Sequence, residues 1–255
     1  MTETATLPAL DARTTVGGFQ PFFEAVNGLV DEAKFRFDAD GLSVTAVDPA
    51  NVGMVNAHLS AEAFTEYDAE EGVVGLATEK VSDLLDTADE RNPLRLTRTG
   101  EKELTFTVDG FEYAKGCIKP GSIRKEPDIP RHLDLPATVR FDAGLFKRAV
   151  KRCDIAADHV GMAVDPDGPV FRMVTEGSTD TATLEVDTGR ATFESVGEAN
   201  SIYSLDYLKD MADSIPENTE VVLLVGEEYP LFIEYGYEGA AVEYLLAPRI
   251  GGVDD

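Results

Sequence analysis

LFKRAVKRCD, residues 145–154, sets two residue classes at helical spacing. Phe146, Ala149, Val150 and Cys153 recur at i, i+3, i+4 and i+7, the apolar stripe of an amphipathic helix. Lys147, Arg148, Lys151 and Arg152 share the opposite face. The bland reading of such a face is a solvated exterior. It is weakened here because basic residues are scarce elsewhere and the formal net charge is -26; four cations on one helix face point to a polyanion. The stretch also carries the first mark of a duplication, since Ala149-Val150 repeats Ala25-Val26 at an offset of 124 residues.

The repeat extends outward from there. Leu84, Asp86, Ala88 and Asp89 recur as Leu208, Asp210, Ala212 and Asp213 at the same offset, and Asp40-Gly41 recurs as Asp167-Gly168 at 127, a small insertion in a turn. Between these marks the order of elements is also repeated. Residues 19–33 predict a helix with Phe22, Val26, Leu29 and Val30 on one face and Pro21 in its first turn. KFRFDADGLSVTAVD alternates around Asp40-Gly41 as a hairpin. Residues 52–64 read as a strand and Thr78–Asp89 as a helix with Val81, Leu84, Leu85 and Ala88 inward. Strands follow near Leu94–Thr97, Glu103–Val108 and Phe111–Ile118. Residues 119–136 hold four prolines and almost no periodicity, the pattern of a connector. The second half runs helix 143–153, strands from Val160 to Val186, helix 204–214, and strands from Thr219 to Ala247. The expected fold is α+β: two duplicated domains, 1–118 and 137–255, joined by the connector 119–136, with helices on one face of antiparallel sheets.

Composition narrows the function classes. With 43% hydrophobic residues, 255 residues can fill one large core or two ordinary ones. There is no run of 18 apolar residues, and MTETATLPAL lacks the basic-then-apolar pattern of a signal peptide, so a soluble, cytoplasmic protein is expected. The 48 Asp and Glu against 22 Lys and Arg are dispersed along the chain, as suits a salt-rich cytoplasm. Cys117 and Cys153 have no metal-ligand spacing and read as small buried hydrophobes.

No catalytic pattern emerges. FDADG (37–41) and VDPDG (164–168) open like a calcium loop but lack its third ligand and closing Glu, so turn chemistry explains them and no metal site is expected. His58, His132 and His159 fall in a strand, the connector and a helix end, with no nucleophile motif beside them. No phosphate-cradling glycine loop is present. An enzyme is disfavoured and no cofactor is expected. A scaffold or binding role remains.

AVDPANVGMVNAHL (46–59), DIP (128–130), IYSLDYLKDMADSIP (202–216), YPLFIEY (229–235) and YLLAPRI (244–250) carry a resemblance that runs essentially end to end. The chain resembles the DNA sliding clamps of the proliferating-cell-nuclear-antigen type, and its acidity points to a halophilic archaeal member. The resemblance implies head-to-tail subunits forming a homotrimeric ring, with helices lining a DNA-sized hole and sheet outside. It implies a DNA face on helices 19–30, 79–88, 143–153 and 204–214, with Lys147, Arg148, Lys151, Arg152 and Lys209 as DNA-binding residues. Positions basic in many relatives are here Asn27, Asp83, Asp86, Asp206 and Asp213. It also implies a pocket for partner peptides of the pattern Gln-x-x-apolar-x-x-aromatic-aromatic, formed by Val47, Val52, Met54, Ile129, Pro230, Leu245, Ala247 and Pro248. Leu245 stands where many relatives have Tyr. Subunit contact by strand pairing would use Phe111, Tyr113 and Lys115 against Thr181, Thr183 and Glu185 of a neighbour.

The implied function is that of a replication processivity factor that tethers DNA polymerase and other replication and repair enzymes to duplex DNA. Implied partners are duplex DNA, DNA polymerase, a clamp loader, and a flap endonuclease and DNA ligase held by short peptide motifs. Membrane contact is not implied, and the expected location is cytoplasmic, at the nucleoid. The alternative is a subunit of a checkpoint-type hetero-oligomeric clamp, which self-association would distinguish.

Overall fold

The computed structural model describes residues 10–100, 102–126 and 135–249. It divides into two compact units: unit 1 is Met1–Val47, Val55–Pro127 and Tyr237–Val242, and unit 2 is Asp48–Met54, Asp128–Gly236 and Glu243–Asp255.

The first half of the chain runs β1 (Leu10–Thr15), α1 (Val16–Asn27), β2 (Glu32–Asp38), β3 (Gly41–Val47), β4 (Gly53–Ser60), β5 (Glu66–Ala69), β6 (Gly72–Ala77), α2 (Glu79–Asp86), β7 (Pro93–Arg98), β8 (Glu103–Val108) and β9 (Phe111–Gly116). The second half runs β10 (Ala137–Asp142), α3 (Ala143–Cys153), β11 (His159–Asp165), β12 (Val170–Glu176), β13 (Thr181–Asp187), β14 (Ala191–Ser195), β15 (Ala199–Ser204), α4 (Leu205–Ser214), β16 (Glu220–Val225), β17 (Leu231–Tyr237) and β18 (Ala240–Leu246). Element for element, the two halves are the same list. Their pairing orders also repeat: β5-β1-β7-β8-β9 and β4-β3-β2-β6 in the first, β14-β10-β16-β17-β18 and β13-β12-β11-β15 in the second. The duplication expected from the sequence is a duplication of topology.

In unit 1, α1 lays Phe19, Phe22 and Phe23 against the sheets. Phe23 stacks on Phe35 with centroids 5.5 Å apart, and Phe19 meets Phe106 at 6.4 Å. In unit 2 the counterpart cluster is Phe141, Phe146 and Phe171. All eight phenylalanines are buried, so each helix is held by its apolar stripe rather than by intrinsic propensity.

Several element bounds differ from the sequence reading. The first helix starts at Val16 and ends at Asn27, because the Thr15 hydroxyl caps the Gly18 amide at 3.1 Å. Leu29 and Val30 therefore lie beyond the helix. Pro21 lies inside it instead of in its first turn, so the Gly17 carbonyl cannot receive its intrahelical bond. α2 stops at Asp86; Val81 and Leu85 are buried, while Leu84 and Ala88 are only half-buried. α3 has the expected bounds, with the Asp142 side chain accepting from the Leu145 amide at 2.8 Å. The strand read at 52–64 gives way at Ala61–Ala63 to a short 3-10 turn. The first hairpin turns on Ala39-Asp40, with Asp38 opposite Gly41. Gly41 has φ 136°, and a Cβ there would stand 2.1 Å from the Leu59 carbonyl oxygen, so this turn requires glycine. His159 opens β11 rather than ending a helix. Cys153 is buried as expected, but Cys117 is only half-buried.

Candidate nucleic-acid face and partner surface

Each unit packs its two helices side by side. In unit 1 the Gln20 amide donates to Asp86 at 2.7 Å and the Ser82 hydroxyl to Glu24 at 2.7 Å. The outer face of α1 and α2 thus presents Gln20, Glu24, Asn27, Glu79, Lys80, Asp83 and Asp86, with a single cation. In unit 2, α3 and α4 are joined by charge. Lys147 donates to the Ile215 carbonyl at 2.8 Å and the Asp213 carbonyl at 3.3 Å, and Lys151 pairs with Asp213 at 2.9 Å.

The five cations expected to meet DNA are therefore not equivalent. Lys147 is half-buried and holds the C-terminal end of α4; burial pulls its ammonium below the ordinary lysine value, against the pull of Asp213. Lys209 sits between Asp154 at 2.9 Å and Asp206 at 3.0 Å, which hold its proton well above the ordinary value. Arg148 has only a loose approach to Asp142, at 3.8 Å. Arg152 is exposed and makes no ion pair or side-chain hydrogen bond among the described residues. Arg148 and Arg152 lie one turn apart on one helix face, so their guanidinium forks are the cations most available to phosphate.

The second surface is built around Asp48, which is 3% exposed. Its Oδ1 accepts the amides of Val52 at 2.7 Å and Gly53 at 2.8 Å, and its Oδ2 the Ala50 amide at 2.7 Å and the Tyr207 hydroxyl at 2.7 Å. The carboxylate closes a tight loop in which Asn51 has φ 60°. Burial alone would raise the Asp48 carboxyl, but the donors from Gly53, Tyr207, Ala50 and Val52 outweigh it and hold it below the ordinary carboxylate value. The loop is tied in turn to the C-terminal segment, since the Ala247 amide donates to the Val52 carbonyl at 2.8 Å.

Of the residues expected around a partner peptide, Val52, Met54, Pro230, Leu245, Ala247 and Pro248 belong to unit 2, and the hydrogen bond just given joins Val52 to Ala247. Val47 belongs to unit 1, and Ile129 lies outside the described residues. Leu245 is only 4% exposed: the leucine found in place of tyrosine has become core and offers little surface. The sequence reading missed Asp48 and Tyr207. A signal for Asp48 was present in AVDPANVG, an Asp-Pro turn closed by glycine, which is how a carboxylate-capped loop reads; none pointed to Tyr207.

The residues expected at subunit contacts lie on β9 and β13, which end their pairing orders. The hairpin bond from the Gly177 amide to the Asp180 carbonyl sets the alternation along β13, so the amides of Thr181, Thr183 and Glu185 point away from β12, as pairing would need. On β9 the alternation goes the other way. Cys117 donates to Lys102, so the amides of Phe111, Tyr113 and Lys115 face β8, and the outward ones are those of Glu112, Ala114 and Gly116.

Residues 10–115 match the family model described as proliferating cell nuclear antigen, N-terminal domain. The chain is 43% identical to the DNA polymerase sliding clamp of Natronomonas pharaonis over 89% of its length and 93% of that protein, and 41% identical to that of Halobacterium salinarum over 91% and 94%. The chain belongs to the DNA polymerase sliding clamp family. Among solved structures, this clamp is similar to the one titled C-terminal region of FEN-1 bound to A. fulgidus PCNA, with a TM-score of 0.89, 32% identity, and coverage of 96% of this chain and 100% of that one. Its relatives include clamps of halophilic archaea, in keeping with the acidity of the sequence. No helix among the clamp's described residues is long and apolar enough to cross a membrane.

Proposed function

We propose that this sliding clamp works as a closed homotrimeric ring that encircles duplex DNA and tethers DNA polymerase, with no catalysis of its own. The observation that carries the ring is the repeated topology together with its uncovered edges. Unit 1 takes in Tyr237–Val242, and within it the Ser60 amide at the end of β4 donates to the Gly239 carbonyl at 3.0 Å. In the repeat, β4 corresponds to β13 and the hairpin at Gly239 to the hairpin that opens β9. One copy of this junction is made within the chain, and the same edges one repeat on are exposed, with Phe111 at 61%. An exposed edge strand bearing a large apolar residue is a template for another chain, and head-to-tail repetition of one junction closes a ring.

In this reading the domains are 1–118 and 137–255, and α1 to α4 line the hole. Arg148 and Arg152 make the main phosphate contacts, with Lys151 beside them, and Lys147 and Lys209 act chiefly within the protein. Because a closed ring is held by topology, weak contacts suffice. The partner surface is formed by Val52, Met54, Pro230, Ala247 and Pro248, and it receives the peptide tails of polymerase, flap endonuclease and DNA ligase; support comes from the similar A. fulgidus clamp, to which the C-terminal region of FEN-1 is bound. A clamp loader opens the ring, and the assembly acts in the cytoplasm at the nucleoid. Light scattering at high salt tests the assembly: a mass about three times the chain's 27.6 kDa supports it, and a monomer at every salt concentration would remove it.

A further inference from the structure

We propose that Tyr207, on α4, is a positioning residue for the partner-peptide surface, acting through Asp48; this rests on the placement of that surface proposed above. The Asp48 carboxylate is almost fully buried and has its two oxygens divided between two jobs. Oδ1 gathers the Val52 and Gly53 amides, which fixes the backbone from which Val52 and Met54 present their side chains. Oδ2 is shared by the Ala50 amide and the Tyr207 hydroxyl. The Ala50, Val52 and Gly53 amides come from the loop itself. The Tyr207 hydroxyl comes from α4, outside the loop, so it ties the loop's orientation to a helix.

The chain of contacts runs on from there. Asn51 in the left-handed region marks a loop held in a conformation that L residues seldom adopt. Such a loop needs its hydrogen bonds to persist. The Val52 carbonyl then takes the Ala247 amide, so the orientation of the loop also sets the segment carrying Ala247 and Pro248. The Tyr207 hydroxyl is kept protonated as a donor, since burial first and Asp48 second push it up to about 12. Both partners therefore keep their bonding states across the physiological range: the carboxylate accepts and the phenol donates.

The test uses the full chain and a synthetic, fluorescently labelled peptide of the pattern Gln-x-x-apolar-x-x-aromatic-aromatic. Tyr207→Phe removes one hydroxyl and keeps the ring. It should weaken peptide binding about fivefold, less than the more than tenfold that a lost hydrogen bond to a charged acceptor would cost directly, because the effect reaches the peptide only through the loop. It should also speed hydrogen exchange at the Val52 and Gly53 amides while leaving the Leu208 and Met211 amides of α4 protected. A purely structural role for the ring would not produce that pattern. In the Asp48→Asn background, Tyr207→Phe should have little further effect on affinity. Asp48→Asn alone supplies the same readouts should Tyr207→Phe fold poorly. If Pro248→Ala weakens the peptide but Tyr207→Phe and Asp48→Asn do not, the surface is correctly placed and the positioning role is wrong. Unchanged affinity in all three, with the parent binding, would remove the placement and the positioning role with it.

Discussion

Lys147, in the basic helix, donates a hydrogen bond from its ammonium to the carbonyl of Ile215, the C-cap residue that follows α4, at 2.8 Å. A cation at a helix C-terminus satisfies an orphan carbonyl and complements the helix dipole. Lys147→Met keeps most of the aliphatic stem and removes the donor. It should cost about 1–2 kcal/mol in unfolding free energy by chemical denaturation, with only a modest effect on duplex binding. Loss of duplex binding with stability unchanged would return Lys147 to the DNA face.

Arg148→Gln with Arg152→Gln should behave in the opposite way. Both side chains are exposed and weakly committed within the protein, so stability should hardly move. If each arginine neutralises one phosphate, the slope of log affinity for duplex DNA against log salt should fall in magnitude by about 2. An unchanged slope would mean that this face meets only solvent.

Asp48 gives the clamp an acid-sensitive contact whose sign follows from its environment. Its folded-state value lies below the ordinary 3.8, so its stabilisation is complete above 3.8 and is lost as pH falls through the lower folded value. Urea midpoints followed from neutral pH downward should drop in that window, and Asp48→Asn should flatten this part of the curve while lowering stability at neutral pH. Parallel curves for parent and variant would show that another carboxylate controls the acid limb.

At the subunit edge the backbone selects the informative substitution. The Tyr113 amide faces β8, so proline there would damage the clamp's own sheet. Ala114 has its amide directed outward, and Ala114→Pro should remove one donor available to a neighbouring chain. The expected result is smaller species by light scattering with the thermal midpoint of the chain little changed. Intact assemblies of the variant would place the contact elsewhere.

The fold was largely legible because its signals are local. Alternation around Asp40-Gly41 and the stripe of Phe146, Ala149, Val150 and Cys153 each identify an element, and the common offset between halves identifies the duplication. Helix ends were read less well. The cap supplied by Thr15 moved α1 to an earlier start, and tertiary packing accommodated Pro21 inside it. The site was legible in residue type but not in commitment. Charge on Lys147 and Lys209 is plain in the sequence, as is the i,i+3 spacing of Asp206 and Lys209 on α4, whereas the other partners, Ile215, Asp213 and Asp154, are brought to them only by the packing of α3 with α4 and the turn after α3. Asp48 and Tyr207, 159 residues apart, were invisible as a pair for the same reason.

The claim that this clamp encircles DNA is tested most directly by topology. The clamp, loaded by its cognate loader onto nicked circular duplex, is passed through a sizing column at high salt before and after the circle is cut once. Encirclement predicts that it travels with the intact circle and is lost when a free end is made. Release from the intact circle, or equal retention on the cut DNA, would contradict the account.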